Sequence, residues 1–563
     1  MKQMIIDLLA KETKLSKKEI ENLLEVPPNP ELGDYAFPCF ALSKKLKKAP
    51  NKIAEDLAAT IKPPKEVERL ETKGPYLNFF INTALQAEQT LNQIQKEKNN
   101  YGSSTTGKGK TVVLEFPSPN TNKPLHIGHV RNLVLGQALT NLLKSQGSKV
   151  KPVNLNNDRG VHICKSMVAY QKFGNGLTPE KDKKKSDHFV GDWYVKFAQE
   201  AKKDKKLEEA AQSCLQKWEA NDKPTRALWK KMNAWAFKGF AETYQKFGYQ
   251  PEKEYYESEI YDKGRDIMTD AFKKGLLEKK EDGALYASFE KQGLGEKIVL
   301  RADGTSIYIT QDIFLATIKQ KEFKPERSLI LTAIEQDYHF KVLHTLLQHL
   351  GYSWAKASEH ISYGLVHLES GRLKSREGNV VDADDLIDEV TALATKELTK
   401  RYKTLGKTEM EKRAKAITFA AMRYYFLRVD KRRDVTFKPE ESISFEGDTG
   451  PYLLYTYARA KSILRKTKTK PTTKPKELNA QEKALITHLA TFPATVQRAH
   501  DQLAPNQIAN FSFELAQKFN EFYHHTKVIG SDDEAFKLSL VENTAQTIKN
   551  ALTLLGIDVI EQM

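Results

Sequence analysis

The stretch that most constrains the fold is a strand, a loop, a helix and a second strand in immediate succession. TVVLEF (111–116) is an apolar alternating run that stops at Pro117, which reads as a strand. HIGHVRNLVLGQALTNLLKSQG (126–147) carries helical periodicity to a glycine stop, and KVKPVNL (149–155) is the next strand candidate. The pattern resumes far downstream. EKIVLR, SIYIT and RSLILTAI read as strands, with helices QDIFLATIKQ and DYHFKVLHTLLQHLG after the last two. Between them lies a region rich in lysine and glutamate, about 164–290, that reads as helical. Strands alternating with helices on both sides of a helical insertion predict a Rossmann-like parallel α/β sheet that the insertion splits.

The flanks differ. Residues 1–105 mix helical and strand patterns, close on the apolar run GPYLNFFIN and predict a small α+β domain. Residues 106–381 hold the split sheet, and 382–563 read as all helical. The exception there is RKTKTKPTTKPKE (465–477), basic and broken by proline, which is expected to be disordered. YGSSTTGKGK (101–110) imitates a phosphate-binding Gly-rich loop. Gly109 stands where that loop needs a hydroxyl, however, and a strand follows instead of a helix, so the match is rejected.

A chain of 563 residues fits about three or four domains. No apolar run approaches the roughly 20 residues a membrane helix needs, and the amino terminus reads as an amphipathic helix, not a secretory signal. Cys39, Cys164 and Cys214 are scattered without metal-ligand spacing, which argues against a bound zinc and for a reducing cytoplasm. The net charge of +16 favours polyanions such as nucleic acid, although charge alone proves no partner.

Parallel α/β folds bind ligands at the carboxyl ends of their strands, and the unusual polar residues fall there. Glu115 ends an apolar strand, Tyr308 lies in SIYIT, Asp312 opens the following helix, and Gln336 sits at the end of RSLILTAI. Any one of them could be a helix cap. Together, two carboxylates, a phenol and an amide suit a cationic substrate with several N–H donors. His126 and His129, one turn apart where a helix begins, outline with the unpaired amides there a phosphate site.

The strand ending in EF, then SPN, a lysine three before HIGH, and the split sheet resemble a class I aminoacyl-tRNA synthetase. The longer string EFPSPNTNKPLHIGHVRN is similar to the arginyl-tRNA synthetase family in particular. Other segments agree along nearly the whole chain: NPELGDYAFPCFALSKKL (29–46) with the family's amino-terminal domain, SIYITQDI with its Y-x-x-x-D segment, and EQDYHF with its D-Q-x-x-H-F segment, Glu335 replacing the aspartate. GPYLLYTYARAKSIL, LAQKFNEFYHHTKVI and the closing LGIDVIEQM resemble its helical anticodon-binding domain.

The resemblance implies ligation of L-arginine to its tRNA through an arginyl-adenylate, with activation that requires bound tRNA. It implies that Glu115, Tyr308 and Asp312 hold the guanidinium, with Asn120 and Gln336 near the α-amino group. ATP, accompanied by magnesium held mainly by phosphates and water, would lie on His126, Gly128 and His129 and on Arg372, Leu373 and Lys374. Lys123, Lys374 and Arg376 would counter charge on the leaving pyrophosphate. Tyr452, Tyr455, Tyr457, Phe522 and Tyr523 lie on predicted helices near basic side chains and suit stacking of unpaired anticodon bases, although at least half are expected in the helical core. A cytoplasmic monomer is expected. Two departures from the family stand out. RLKSR (372–376) carries Ser375 where the KMSKS loop has its second lysine, a loss the resemblance implies Lys123 offsets. NDRGVHI (157–163) replaces the more frequent GDWGTQF and leaves the roles of Asp158 and His162 open. The rivals are another class I synthetase, an inactive tRNA-binding relative and a nucleotidylyltransferase, which would leave the helical carboxyl region unexplained.

Overall fold

The computed structural model describes residues 1–368 and 381–563, which divide into two compact units. One comprises Met1–Tyr101, Ala460–Phe492 and Leu515–Thr547; the other comprises Gly102–Arg459, Pro493–Glu514 and Ile548–Met563.

The larger unit is built on five strands: β1 (Thr111–Glu115), β2 (Lys149–Asn156), β3 (Lys253–Tyr256), β4 (Arg327–Ala333) and β5 (Ser358–Tyr363). They form one sheet in the order β5-β4-β1-β2-β3, with every neighbouring pair parallel. The chain starts at the centre, winds outward through β2 and β3, then returns to the other side of β1. Winding therefore reverses between β1 and β4, and the connections leaving those two strands part to open a crevice at their carboxyl ends.

Helix α1 (Ile127–Ser145) follows β1 and is buried along nearly its whole length, which explains why apolar residues surround it. Gly136 permits its close seat on the sheet, because a Cβ there would lie 2.3 Å from the Phe116 ring. α2 (Tyr308–Phe323) leads into β4, α3 (Asp337–His349) joins β4 to β5, and α4 (Ala383–Arg401) opens the helical region.

Several sequence expectations need correction. SIYIT is not a strand: Tyr308 is the first residue of α2, and Ile309, Ile313 and Ala316 form a buried helical stripe. Burial of that face overrides the β-branched alternation. EKIVLR does form a strand (Gly295–Leu300), but it belongs to a separate antiparallel sheet with Glu278–Lys279 and Leu285–Phe289. The stretch 164–290 contains the helices Ser186–Ala201, Lys206–Glu219 and Lys223–Lys246, as expected, yet β3 lies inside it. Beyond 382 the chain is helical except for the short strand Val435–Phe437, which pairs with Val366–Leu368.

The smaller unit holds a three-stranded antiparallel sheet, Tyr35–Pro38, Tyr76–Ile81 and Val67–Lys73, with Tyr76–Ile81 central. Helices Lys2–Thr13, Lys17–Leu23 and Pro50–Thr60 accompany it, and Ile5, Leu9, Ile20, Phe37, Ile53 and Phe79 share one core. Arg465 ends the helix Gly450–Arg465, and residues 466–477 are irregular, as the prolines dictate, but hydrogen-bonded to their neighbours and not loose.

Candidate active site

The loop between β1 and α1 is held from the side of β2. The Ser118 N–H donates to Asn154 Oδ1 at 3.1 Å, the Asn157 N–H donates to the Pro119 carbonyl at 3.0 Å, and the Thr121 N–H to the Asn157 carbonyl at 3.2 Å. This leaves Asn120 exposed beside the end of β1.

His126 caps α1 and His129 lies three residues on. Each ring accepts a backbone N–H at Nδ1: Gly128 to His126 and His126 to His129, both at 3.1 Å. The rings lie 3.8 Å apart. Burial lowers the His126 pKa to about 4, aided by the charge of Lys123. Burial, His126 and Lys123 hold His129 well below its ordinary value. Both imidazoles are therefore neutral, and because each Nδ1 is an acceptor, each proton resides on Nε2. The helix-end amides are less available than the sequence suggests. The Ile127 N–H donates to the Val381 carbonyl at 2.9 Å, and the Gly128 N–H goes to the His126 ring. The two Nε2–H groups thus carry much of the donor function at this helix end.

Behind the histidines α1 is anchored firmly. The buried Arg131 guanidinium donates to the carbonyls of Gly364, Leu365, Lys431 and Arg433 at 2.6–3.2 Å. Asn132 Nδ2 donates to the Leu331 carbonyl of β4 and to the Tyr363 hydroxyl of β5. Gly191, on the helix Ser186–Ala201, lets that helix lie against the turn after Lys123, where a Cβ would sit 2.6 Å from Pro124 Cδ.

Acids collect at the carboxyl ends of the strands. Glu115 is 5% exposed and accepts from Lys319 Nζ, itself 1% exposed, at 2.7 Å. Asp312, one turn into α2, pairs with His339 of α3 at 2.6 Å, and that bond raises the His339 pKa. Gln336 caps α3 and is exposed. Tyr308 is 71% exposed and lines a cavity of about 640 Å³ with Glu257, Arg159, Tyr261, Arg301 and Gln311. Glu115, Asn120, Asp312 and Gln336 are not among its lining residues.

Glu257 follows β3 and Asp158 follows β2, and neither was singled out as an acid of the site. Asp158 accepts from the Ser258 N–H and Oγ, both at 2.8 Å, yet burial pushes its carboxyl up to about 6. Burial likewise pushes Glu257 up to about 7, against the opposing charge of Arg159 and with the help of Asp158 and Asp312. The signal for Glu257 is its place just past a strand, lost because β3 is too short to register; Asp158 follows the expected strand β2, but the unusual NDRGVHI leaves its role open. Lys319 was detectable in principle, as a charge four residues after the buried Leu315 on one helical face.

A second cluster flanks the histidines. Val381 and Ala383 bond to the chain on either side of His126, through the Ile127 N–H and the Leu125 carbonyl. Asp382 caps α4, and Asp384 then accepts from Lys185 and Lys246 at 2.6 Å each and meets His188 at 3.2 Å. Burial opposes the charge on Asp384, but His188 and Lys185 hold its carboxyl far below the usual range. Asp382 and Asp384 lift His188 to about 10 despite its burial. Asp187, His188 and Asp384 bring their polar atoms within 4.8 Å of one another, as metal ligands would, but ammonium groups already occupy the cation position.

Arg372, Leu373, Lys374 and Arg376 lie outside the described residues. Of the aromatic candidates, Phe522 and Tyr457 are buried, Tyr452 and Tyr455 are half-buried, and Tyr523 is 39% exposed. Arg459 lies over the Tyr455 ring, 4.7 Å from its centroid.

A reversing parallel sheet with two neutral histidines at the first helix is the frame of a class I aminoacyl-tRNA synthetase, and residues 90–438 match the family described as tRNA synthetases class I (R), catalytic domain. Residues 1–81 match the arginyl tRNA synthetase N terminal domain, and 453–563 the DALR anticodon binding domain. An arginine–tRNA ligase of Treponema denticola is 42% identical, covering 96% of this chain and 94% of that one. One of Phocaeicola vulgatus is 40% identical, covering 94% of each. The solved structure of Thermus thermophilus arginyl-tRNA synthetase superposes with a TM-score of 0.82 at 24% identity, covering both chains fully, and shows the shared fold. The chain belongs to the arginyl-tRNA synthetase family.

Proposed function

We propose that this chain ligates L-arginine to the 3′-terminal adenosine of tRNA(Arg) in two steps, with release of AMP and pyrophosphate. The observation that carries the reading is the placement of two Nε2–H donors at the start of α1 with the acids Glu115, at the end of β1, and Asp312, one turn into α2. The donors suit a triphosphate and the acids a guanidinium.

In the first step the arginine carboxylate attacks the α-phosphate of ATP. Phosphoryl transfer mainly needs positioning and stabilisation of charge. His126 and His129 donate to phosphate oxygens, Gly128 keeps the helix end narrow, and Lys123 approaches from the loop. Lys374 and Arg376 meet the departing pyrophosphate, Arg372 and Leu373 bound the nucleotide, and magnesium travels with ATP. Glu115, Tyr308 and Asp312 hold the guanidinium, while Asn120 and Gln336 face the α-amino group. In the second step a ribose hydroxyl of the terminal adenosine takes the arginyl group. Tyr452, Tyr455, Tyr457, Phe522 and Tyr523 belong to the region that reads the anticodon, the exposed rings by stacking and the buried ones by shaping the helices. The enzyme acts as a monomer in the cytoplasm; no helix among the described residues is long and apolar enough to cross a membrane.

The test is ATP–pyrophosphate exchange with each of twenty amino acids, with and without tRNA, followed by aminoacylation. Exchange with arginine alone, and only when tRNA is present, is expected. Exchange driven by another amino acid, or none at all, overturns the reading.

A further inference from the structure

The basic segment 465–477 has no part in the chemistry above, and its structure is unusual for a lysine-rich loop. It carries Arg465, Lys466, Lys468, Lys470, Lys474 and Lys476 against one acid, Glu477. A solvated tail of this composition would spread its charges apart. Here the backbone is fastened instead. Thr467 Oγ1 donates to Glu534 at 2.7 Å, the Thr472 N–H to the Ala535 carbonyl at 3.0 Å, and Thr473 Oγ1 to Asn92 Oδ1 at 2.9 Å. The Lys476 N–H donates to Asp533 at 3.1 Å, and its Nζ to the Asp532 carbonyl at 2.8 Å. The strap thus runs from the helix Glu534–Leu554 to the helix Thr83–Glu97, within one compact unit.

The fastening uses the threonines and Lys476 and leaves Lys466, Lys468 and Lys470 outside. Lys466, Lys468 and Lys470 alternate with Thr467 and Thr469 and are exposed. None of the three forms an ion pair among the described residues, whereas Lys474 faces Glu88 at 3.8 Å. The nearby acids are already engaged: Glu534 accepts from Thr467 and from the Gly530 N–H, and Asp533 from the Lys476 amide. Glu534 keeps its charge beside Thr467, but three exposed ammonium groups at alternate positions outnumber it, an arrangement that favours a polyanion. The segment also lies within the residues that match the anticodon binding domain.

We propose that the strap Lys466–Lys468–Lys470 is a phosphate-contacting rim that grips the sugar–phosphate backbone of the bound tRNA independently of its sequence. This rests on the reading that the chain charges tRNA. Contacts of this kind contribute affinity by releasing counterions, and they position a nucleic acid without reading its bases.

The test measures binding of a tRNA(Arg) transcript to the full chain across a potassium chloride series, for the parent and for Lys466→Ser/Lys468→Ser/Lys470→Ser. The slope of log affinity against log salt should fall in magnitude by about 2 to 3, since each phosphate contact contributes roughly 0.7–0.9. Affinity at low salt should fall at least about tenfold, equally for cognate and non-cognate tRNA, while charging at saturating tRNA stays near the parent rate. Arginine at all three positions should restore the slope. An unchanged slope in a folded triple variant overturns the rim. If the parent itself fails to charge tRNA with arginine, the enzymatic reading fails first, so the two failures are distinguishable.

Discussion

The His129 ring accepts the backbone N–H of His126 at 3.1 Å, and that bond fixes which nitrogen carries the proton. A ring that gave its Nδ1 proton to solvent would present a lone pair to phosphate and repel it; this one presents N–H. The substitution His129→Asn separates the two roles, because the Asn oxygen can still accept the His126 amide while the Nε2–H is lost. Stability should fall by only about 1 kcal/mol, the centre of the range for point substitutions, because the cap bond is kept. Adenylate formation in single turnover should slow roughly 10²–10³-fold, as for the loss of one preorganised donor. A rate within threefold of the parent would remove the ring from the phosphate site.

Glu257 supplies a pH signature. Its carboxyl is raised to about 7, so it is protonated and neutral on the acid side of neutrality and ionised above it. If it assists in attracting arginine, kcat/KM for arginine should rise as the pH passes through 7, and Glu257→Gln should flatten that step without altering the ATP profile. A parent profile with no step there, or a variant that keeps it, excludes Glu257 from the substrate's surroundings.

Lys319 and Glu115 are both buried, so breaking the pair leaves a charge in the interior. Lys319→Met should destabilise the fold by roughly 3–5 kcal/mol, the usual cost of orphaning one member of such a pair. Adding Glu115→Gln should recover most of that loss. Denaturant titration checks both, and a double variant no more stable than the single one would assign the loss to packing.

Asp384 serves three cations at once. Asp384→Asn takes its carboxylate from Lys246 and leaves Lys185 with Asp187 and His188 with Asp382, and it should cost about 3 kcal/mol, near the low end for a buried pair because Lys246 is partly exposed. The adjoining backbone bonds position His126, so the activation rate should also fall more than the ATP KM rises. Asp384→Glu should recover part of both losses. Loss of stability with an unchanged rate would confine the cluster to a structural role.

Much of this was legible in the chain. The β1–α1–β2 unit and the residues Glu115, His126 and His129 announced themselves because apolar periodicity frames them. Tyr308 and Asp312 stand out too, but their local geometry misleads: isoleucine and threonine in SIYIT look extended until the rest of the fold buries one helical face. What stayed hidden were relationships between distant residues. Nothing local in Lys319 says that it will meet Glu115 across 204 positions, and β5 was obscured because Glu359 and His360 sit in a strand at the sheet edge. Phe522 and Tyr523 read alike in sequence, yet packing buries the first completely and leaves the second accessible.

The anchoring of Arg131 has a consequence for the order in which the protein is made. Its guanidinium binds carbonyls 233 and 302 residues further along the chain, so the helix that carries the histidines lacks its rear support until residue 433 has left the ribosome. Triphosphate binding should accordingly appear late in synthesis, only after the first helices of the carboxyl-terminal region have emerged. Nascent chains arrested before that point should hold the sheet's first strands but bind nucleotide poorly.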